Sequence, residues 1–164
     1  MSKVHLLITH RVGGTVPTVF GGFTRELFER LSPKLPPAKL LRYDGNEVGD
    51  WVVIRLGVPP LTQTWRSVIT AHETGERESF FVDEGRQLPW PLHSWRHIHR
   101  IREERPGTVA IVEDITFSTG SAWADALMKP IIAAQFRARG PKYRAVFGLP
   151  GDQMALRNED ENLG

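Results

Sequence analysis

Between residues 39 and 117 the chain contains six consecutive strand-like segments, and this run most limits the folds that the sequence can adopt. The segments are rich in β-branched and aromatic residues, and turn-forming residues such as Asp44-Gly45 and Pro106-Gly107 separate them. Strands joined by such short turns pair with their neighbours along the chain, which predicts an antiparallel meander. The predicted strands are Lys39–Tyr43, Trp51–Leu56, Thr62–Ala71, Glu78–Asp83, Ser94–Arg102 and Thr108–Phe117.

One further strand and several helices are predicted on either side of this run. The segment Val4–Val12 alternates in polarity, and Pro17 suits the first turn of two short helices that Gly21-Gly22 separates. A longer helix is predicted from Ser121, with a break at Gly140-Pro141. Because a single twisted sheet needs its apolar face covered, this helix is expected to lie across it. The prediction is an α+β domain with a curved antiparallel sheet of about seven strands, wrapped on a long C-terminal helix.

Length and composition narrow the class of protein. A chain of 164 residues is expected to form one domain, here over residues 1–148, followed by a polar, acidic and disordered tail over residues 149–164. The absence of cysteine excludes disulfide scaffolds, thiolate zinc sites, iron–sulfur clusters and cysteine nucleophiles. The first residues lack the apolar core of a signal peptide, and no stretch approaches the ~20 apolar residues that span a bilayer. We therefore expect a cytoplasmic protein with no membrane span.

The charge of the chain gives little sign of a polyanionic partner. Lysine and arginine number 21 against 19 aspartate and glutamate residues, a net charge of +2, and the basic residues are scattered. A nucleic-acid-binding domain concentrates basic residues on one face. We therefore expect no nucleic-acid partner, and a monomer or a homodimer.

Two motifs give a resemblance to a known family. The run Phe81-Val82-Asp83-Glu84 is followed by a Leu-Pro-Trp-Pro loop and then by Ser94-Trp95-Arg96-His97-Ile98-His99-Arg100. This arrangement is similar to the F-V-D-E-Q … G-P-F … W-x-H-x-H pattern of uncharacterised bacterial proteins of the START-related superfamily called SRPBCC. That superfamily includes the birch-pollen-allergen-like proteins and the polyketide cyclases. The resemblance covers about residues 1–148 and implies a helix-grip fold, with a cavity for a hydrophobic small molecule between the sheet and the C-terminal helix.

The chain departs from the family pattern at two places that border the expected cavity. The usual Gly-Pro-Phe loop is replaced by Leu88-Pro89-Trp90-Pro91-Leu92, and the final helix is interrupted by Gly140-Pro141. The loop is unusually apolar, which favours a rim or lid at the cavity mouth or, equally, a loop tucked into the core. The superfamily has no catalytic residues common to all members, so the resemblance implies no particular reaction.

One predicted strand carries an unusual set of side chains on a single face. Alternation along Ser94–Arg102 places Trp95, His97 and His99 together, and it turns three arginines toward solvent on the opposite face. In the next strand, the side chains expected to face the cavity are Ile111, Glu113, Ile115 and Phe117.

The pairing of these two strands predicts a histidine–carboxylate pair. If Arg102 pairs with Thr108 across the hairpin, His97 lies directly opposite Glu113. A carboxylate beside an imidazole in a partly dry cavity would raise the pKa of His97 and fix its tautomer. The pair could then act as general acid and base on an enolisable carbonyl, or anchor the polar end of an apolar ligand. Alternatively, His97, His99 and Glu113 only satisfy one another's hydrogen bonds beneath the helix.

A metal site is the remaining interpretation of these residues. Two histidines and an inward carboxylate resemble the ligand set of a non-haem iron site. Because no clear fourth ligand is evident, we expect no metal and no other cofactor. Asp83, at the end of its predicted strand, is expected to cap the following loop.

Further cavity residues are expected from other parts of the chain. Trp65 and Ser67 alternate onto one strand face, and Trp90 lies on the apolar loop. The helix is expected to contribute the stripe Trp123, Leu127 and Ile131.

The sequence thus predicts a protein that binds a hydrophobic or aromatic small molecule of lipid-, polyketide- or steroid-like type. The alternative is a cyclase- or isomerase-type enzyme that uses His97 and Glu113 as an acid–base pair. A third interpretation is a protein-interaction module that docks a partner through the Trp90 loop.

Overall fold

A computed structural model describes residues 3–151 of the chain. Within these residues, seven strands form one sheet and four helices accompany it, which confirms the predicted α+β class. The strands are β1 (Val4–Gly13), β2 (Ala38–Tyr43), β3 (Trp51–Val58), β4 (Leu61–Glu73), β5 (Glu78–Gln87), β6 (Ser94–Arg105) and β7 (Thr108–Ser118). The helices are α1 (Val16–Gly21), α2 (Arg25–Leu31), α3 (Ala122–Arg137) and α4 (Arg139–Phe147).

The sheet is antiparallel throughout, in the order β1-β7-β6-β5-β4-β3-β2. From β2 to β7 each strand pairs with the next along the chain, which confirms the predicted meander. Strand β1 pairs with β7 at the other side, where Val4 lies opposite Phe117. The two edges of the sheet are therefore β1 and β2, and the chain leaves β7 directly into α3. This is the predicted helix-grip architecture.

The two short helices begin at threonine caps. The side-chain oxygens of Thr15 and Thr24 each accept a hydrogen bond of 3.4 Å from the backbone N–H three residues further on. Between the helices, a Cβ atom at Gly22 would collide with the ring of Phe147 at the end of α4. The close approach of these elements explains why a residue without a side chain is needed at this corner.

The C-terminal helix is rotated relative to the prediction. The stripe Trp123, Leu127 and Ile131 was expected to face the sheet, but these side chains are 76%, 53% and 46% exposed. The face that is buried carries Ile132, Ala133 and Phe136 instead.

A polar residue accounts for this rotation. Asp125, in the first turn of α3, is buried and accepts hydrogen bonds from the backbone N–H and the hydroxyl of Thr119, at 2.6 and 2.9 Å. Ile132 lies two turns further along the same face of the helix. Because α3 has apolar residues on more than one side, apolar spacing alone did not select the correct face.

The helix bends where α3 gives way to α4 at Ala138, close to the break predicted at Gly140-Pro141. Both helices contact the sheet mainly at β1, and α4 also contacts α2. Two apolar clusters result, one beneath α1, α2 and α4 and the other beneath α3. The inward face of the sheet over β2 to β6 is left less covered, and a cavity opens there.

The described chain ends with a return to the sheet, where the backbone N–H of Gly13 donates to the carbonyl of Gly148 at 3.0 Å. The predicted acidic tail falls largely on residues 152–164, outside the described residues. Among residues 3–151, every helix is too short or too polar to traverse a lipid bilayer.

Candidate functional site

A cavity of about 420 Å³ lies between the inward face of the sheet, α3 and the loop that joins β5 to β6. Most of its wall is apolar, and strands β2 to β4 supply much of that wall through Leu40, Val52, Ile54, Leu56, Trp65 and Ile69. Its polar groups include Asp83, His97, His99 and Arg139. The space is thus an apolar chamber whose wall contains a group of ionisable side chains.

Seven of the predicted ligand-binding residues line this cavity. They are Trp65, Ser67, Trp90, Trp95, His97, His99 and Ile131. Of these, Trp65 and Trp95 contact each other edge to face, with ring centroids 4.8 Å apart and an interplanar angle of 85°. Such a pair presents flat aromatic surface to a bound molecule.

The other predicted ligand-binding residues lie elsewhere, and these predictions are corrected. The residues of β7 are fully buried but do not line the cavity; they are Ile111, Glu113, Ile115 and Phe117. Strand β7 lies beside β1, against which α3 and α4 pack, so the helices cover its inward side chains. Trp123 and Leu127 lie on the exposed side of α3, away from the cavity.

The predicted histidine–carboxylate pair is present. His97 Nε2 lies 2.7 Å from Glu113 Oε2, and the two residues are 2% and 0% exposed. The predicted strand register, however, was wrong. His99 lies opposite Glu113, and His97 lies opposite Ile115, so the hydrogen bond runs diagonally between strands.

The register differs because the hairpin is tighter than expected. Arg105, not Arg102, pairs with Thr108, and an irregularity between Glu103 and Arg105 takes up one residue of that three-residue difference. The shift at Glu113 is two residues, which keeps its side chain on the inward face.

Asp83 belongs to this cluster, although it was predicted only to cap a loop. Strand β5 continues to Gln87, so Asp83 lies within the strand and opposite His97. Its Oδ2 atom lies 3.0 Å from His99 Nε2 and 3.5 Å from His97 Nδ1. Alternation with Phe81, a core residue on the same face, is the signal that would have placed Asp83 inward.

Helix α4 supplies two further members that the sequence interpretation missed. Tyr143 Oη donates a hydrogen bond of 2.6 Å to Glu113 Oε1, and Arg139 Nη1 donates one of 3.3 Å to the same oxygen. The two residues are four apart and therefore lie on one face of the helix. That spacing was a usable signal, but only once α4 was known to lie within side-chain reach of Glu113.

Opposite charges inside the cluster set its protonation. Burial opposes the ionisation of Glu113, but Arg139 and His97 outweigh burial and hold the pKa of Glu113 well below its usual range. Burial likewise opposes a charge on His97, yet the carboxylates of Asp83 and Glu113 raise the pKa of its imidazole. Burial and the neighbouring His97 lower the pKa of His99 to about 4. The arrangement therefore favours a proton on His97 over one on His99.

Both tyrosines of the chain are expected to resist ionisation. Burial raises the pKa of Tyr43 to about 12, and burial together with Glu113 raises the pKa of Tyr143 well above its ordinary value. Tyrosine in an unfolded chain ionises near pH 10. We therefore expect an ultraviolet absorbance titration of the folded protein to show little tyrosinate at about pH 10.

The raised pKa values of the two tyrosines make the stability of the folded protein depend on pH in a definite direction. The pKa values of the tyrosines are higher in the folded protein than in the unfolded chain. Their contribution to the free energy of unfolding is therefore complete below about pH 10, and it is lost as the pH rises toward the folded pKa values. Tyrosinate absorbance and loss of circular dichroism should therefore appear together. Full ionisation of either tyrosine near pH 10 in a protein that is still folded would contradict the placement of that side chain.

The apolar loop between β5 and β6 forms part of the cavity mouth. Trp90 is 80% exposed, lines the cavity and donates its backbone N–H to Gln63 Oε1 of β4 at 2.6 Å. Leu92 is buried in the apolar cluster that contains Trp95. One end of the loop is thus tucked into the core, and the other forms the rim.

Known proteins resemble this chain in fold but not in sequence. No family model and no curated protein sequence matches the chain. The Zhui aromatase/cyclase from Streptomyces sp. R1128 superposes with a TM-score of 0.66 at 13% identity, over 87% of this chain and 92% of that one. The di-domain ARO/CYC protein StfQ of the steffimycin biosynthetic pathway gives 0.62 at 15% identity, over 89% of this chain and 50% of that one.

A plant enzyme shares the architecture as well. A norcoclaurine synthase from Thalictrum flavum superposes with a TM-score of 0.55 at 11% identity, over 87% of this chain and 96% of that one. Identities this low are evidence about architecture and not about chemistry. The sheet order, the bent C-terminal helix and these superpositions show that the chain has the helix-grip fold that these three structures share.

Proposed function

We propose that the protein binds a hydrophobic or aromatic small molecule, of lipid-, polyketide- or steroid-like type, in the cavity between the sheet and α3. The single observation that carries this proposal is the cavity itself, whose volume of about 420 Å³ is bounded by mostly apolar side chains. Cavities of this size and polarity are typical of small-molecule sites.

The polar part of the wall would give such a ligand its orientation. His97 and Asp83 line the cavity and lie on the central strands β5 and β6, so their positions are fixed by the sheet. A hydroxyl or carbonyl group of the ligand would hydrogen-bond there, while its rings contact Trp65 and Trp95. The presence of aromatase/cyclases among the similar structures is in accord with an aromatic ligand.

Native mass spectrometry of the purified 164-residue chain tests this proposal. We expect an organic molecule to travel with the folded protein and to be absent from its denatured mass, or a hydrophobic fluorescent dye to bind at one saturable site. Failure of both, with a protein that is folded by circular dichroism, would overturn the proposal.

An acid–base enzyme is the second candidate, and the His97–Glu113 contact favours it. His97 lines the cavity, and the hydrogen bond of 2.7 Å to Glu113 fixes the orientation of its ring. Glu113 does not line the cavity, so its part would be to position His97. Replacing His97 with glutamine distinguishes the candidates, because a carrier would lose affinity, whereas an enzyme would keep its ligand and lose turnover.

The proposal also covers the location, the oligomeric state and the partners of the protein. We propose a cytoplasmic protein that acts as a monomer or homodimer without a nucleic-acid partner. Its lack of cysteine and its scattered basic residues support this view.

A further inference from the structure

Three side chains in the cavity wall bring metal-binding atoms together. One metal-binding atom from each of Asp83, His97 and His99 lies within 4.8 Å of the others. Asp83 Oδ2 lies 3.0 Å from His99 Nε2 and 3.5 Å from His97 Nδ1. All three residues line the cavity, so the group has an open side.

These separations fit a small divalent ion. Ligand atoms about 2.0–2.1 Å from a tetrahedral zinc ion are roughly 3.3 Å from each other, and the two distances at Asp83 lie on either side of that value. The three residues come from the central strands β5 and β6, which hold their backbones in place.

The residues behind the group resemble the support that metal-binding histidines require. Such histidines usually donate their second ring N–H to a carboxylate, which fixes the tautomer and the ring orientation. Glu113 Oε2 lies 2.7 Å from His97 Nε2 and 3.6 Å from His99 Nδ1, on the side away from Asp83. Among the described residues, His99 Nδ1 is buried without a hydrogen-bond partner, and this carboxylate is the group that a small movement would bring to it.

We propose that Asp83, His97 and His99 bind one divalent transition-metal ion, with a coordination position open to the cavity. Two imidazoles and one carboxylate suit zinc, iron(II) and cobalt(II) better than magnesium or calcium. Three protein ligands and an open position are the arrangement of a catalytic centre and not of a closed structural one. The site stands on these side chains alone and does not require that the cavity hold an organic ligand.

Titration of the metal-free 164-residue chain with Zn²⁺ tests the proposal. After treatment with a chelator, we expect calorimetry to show one ion bound per chain. Cobalt(II) should give the intense visible absorption of a four- or five-coordinate ion. No saturable binding at millimolar Zn²⁺, or a cobalt spectrum that stays that of the aqueous ion, would overturn the proposal.

Two neighbouring residues on β5 supply a matched pair of variants. Asp83→Asn is expected to weaken Zn²⁺ binding by at least about 100-fold, more than the loss typical of an outer-shell change. Glu84→Gln should leave the affinity unchanged, because Glu84 lies on the opposite face beside Arg86 and Arg96. Unchanged affinity in a folded Asp83→Asn protein would contradict the assignment.

A measurement on the unaltered chain covers the case in which Asp83→Asn does not fold. The chain contains six histidines, whose ring signals can be followed by NMR. Zn²⁺ should perturb those of His97 and His99 at one equivalent and leave that of the exposed His5 unchanged. Perturbation of the exposed histidine alone would show adventitious surface binding and would also overturn the proposal.

Discussion

Replacement of Glu113 by glutamine is expected to lower the free energy of unfolding by about 3–5 kcal/mol, the range for removing one partner of a buried ion pair. Glu113 is completely buried, and its carboxylate meets His97, Tyr143 and Arg139. Glutamine has nearly the same shape and can keep some hydrogen bonds. It cannot compensate the charge of the Arg139 guanidinium, whose side chain is only 16% exposed, and that uncompensated charge is the source of the loss.

The next residue along β7 provides the control. Asp114 faces the opposite way and pairs with His5 at 2.8 Å, where the side chains are 27% and 59% exposed. Because exposed ion pairs contribute about 0–1 kcal/mol, Asp114→Asn should change stability little. Urea unfolding at neutral pH, followed by circular dichroism, measures both variants. Equal effects of the two substitutions would show that the buried cluster does not stabilise the fold as we describe.

Strand alternation predicted which side chains face inward, but it did not predict which of them meet. The side chains of His97, His99 and Glu113 face inward as expected, because the face of a strand depends only on whether a position is odd or even. The register also depends on the length of the turn and on the irregularity near Glu103, and neither could be predicted from the amino-acid sequence. An error of two residues therefore changed the partners and preserved the face.

Long-range contacts account for what the sequence interpretation missed. Arg139 and Tyr143 reach Glu113 from α4, and α4 follows α3, whose rotation depends on the hydrogen bonds between Asp125 and Thr119. Apolar periodicity carries no information about such a polar contact. For the same reason the predicted stripe pointed outward, and β7, which was predicted to line the cavity, lies under the helices.

The uneven covering of the sheet is what joins the fold to its proposed function. Because α3 and α4 pack mainly on β1, the cavity forms over the far strands, and the part of its wall that the sheet supplies comes from β2 to β6. The ionisable cluster lies where the part of the sheet covered by α3 and α4 meets the part that lines the cavity. Asp83, His97 and His99 line the cavity. Glu113 and Tyr143 do not line it and are completely buried between the sheet and α4. A ligand in the cavity would therefore contact groups whose positions are fixed from behind.

Filling the cavity from β3 is the strongest test of where a ligand lies. Ile54 lines the cavity and pairs across the strands with Trp65. Ile54→Trp should place a second indole in the space beside Trp65. We expect the affinity for the dye anilinonaphthalene sulfonate, measured by fluorescence titration, to fall at least about 10-fold, or about 1.4 kcal/mol.

The adjacent residue separates occlusion of the cavity from general damage to the sheet. Val53 precedes Ile54 on β3 and points to the other face, where it lies opposite the exposed Arg66. Val53→Trp adds the same ring outside the cavity and should leave dye affinity unchanged. Because the cavity has room for the indole, Ile54→Trp should alter the free energy of unfolding by no more than about 1 kcal/mol, below the usual cost of overpacking. A stable Ile54→Trp protein that binds the dye as tightly as the unaltered chain would place the dye outside this cavity.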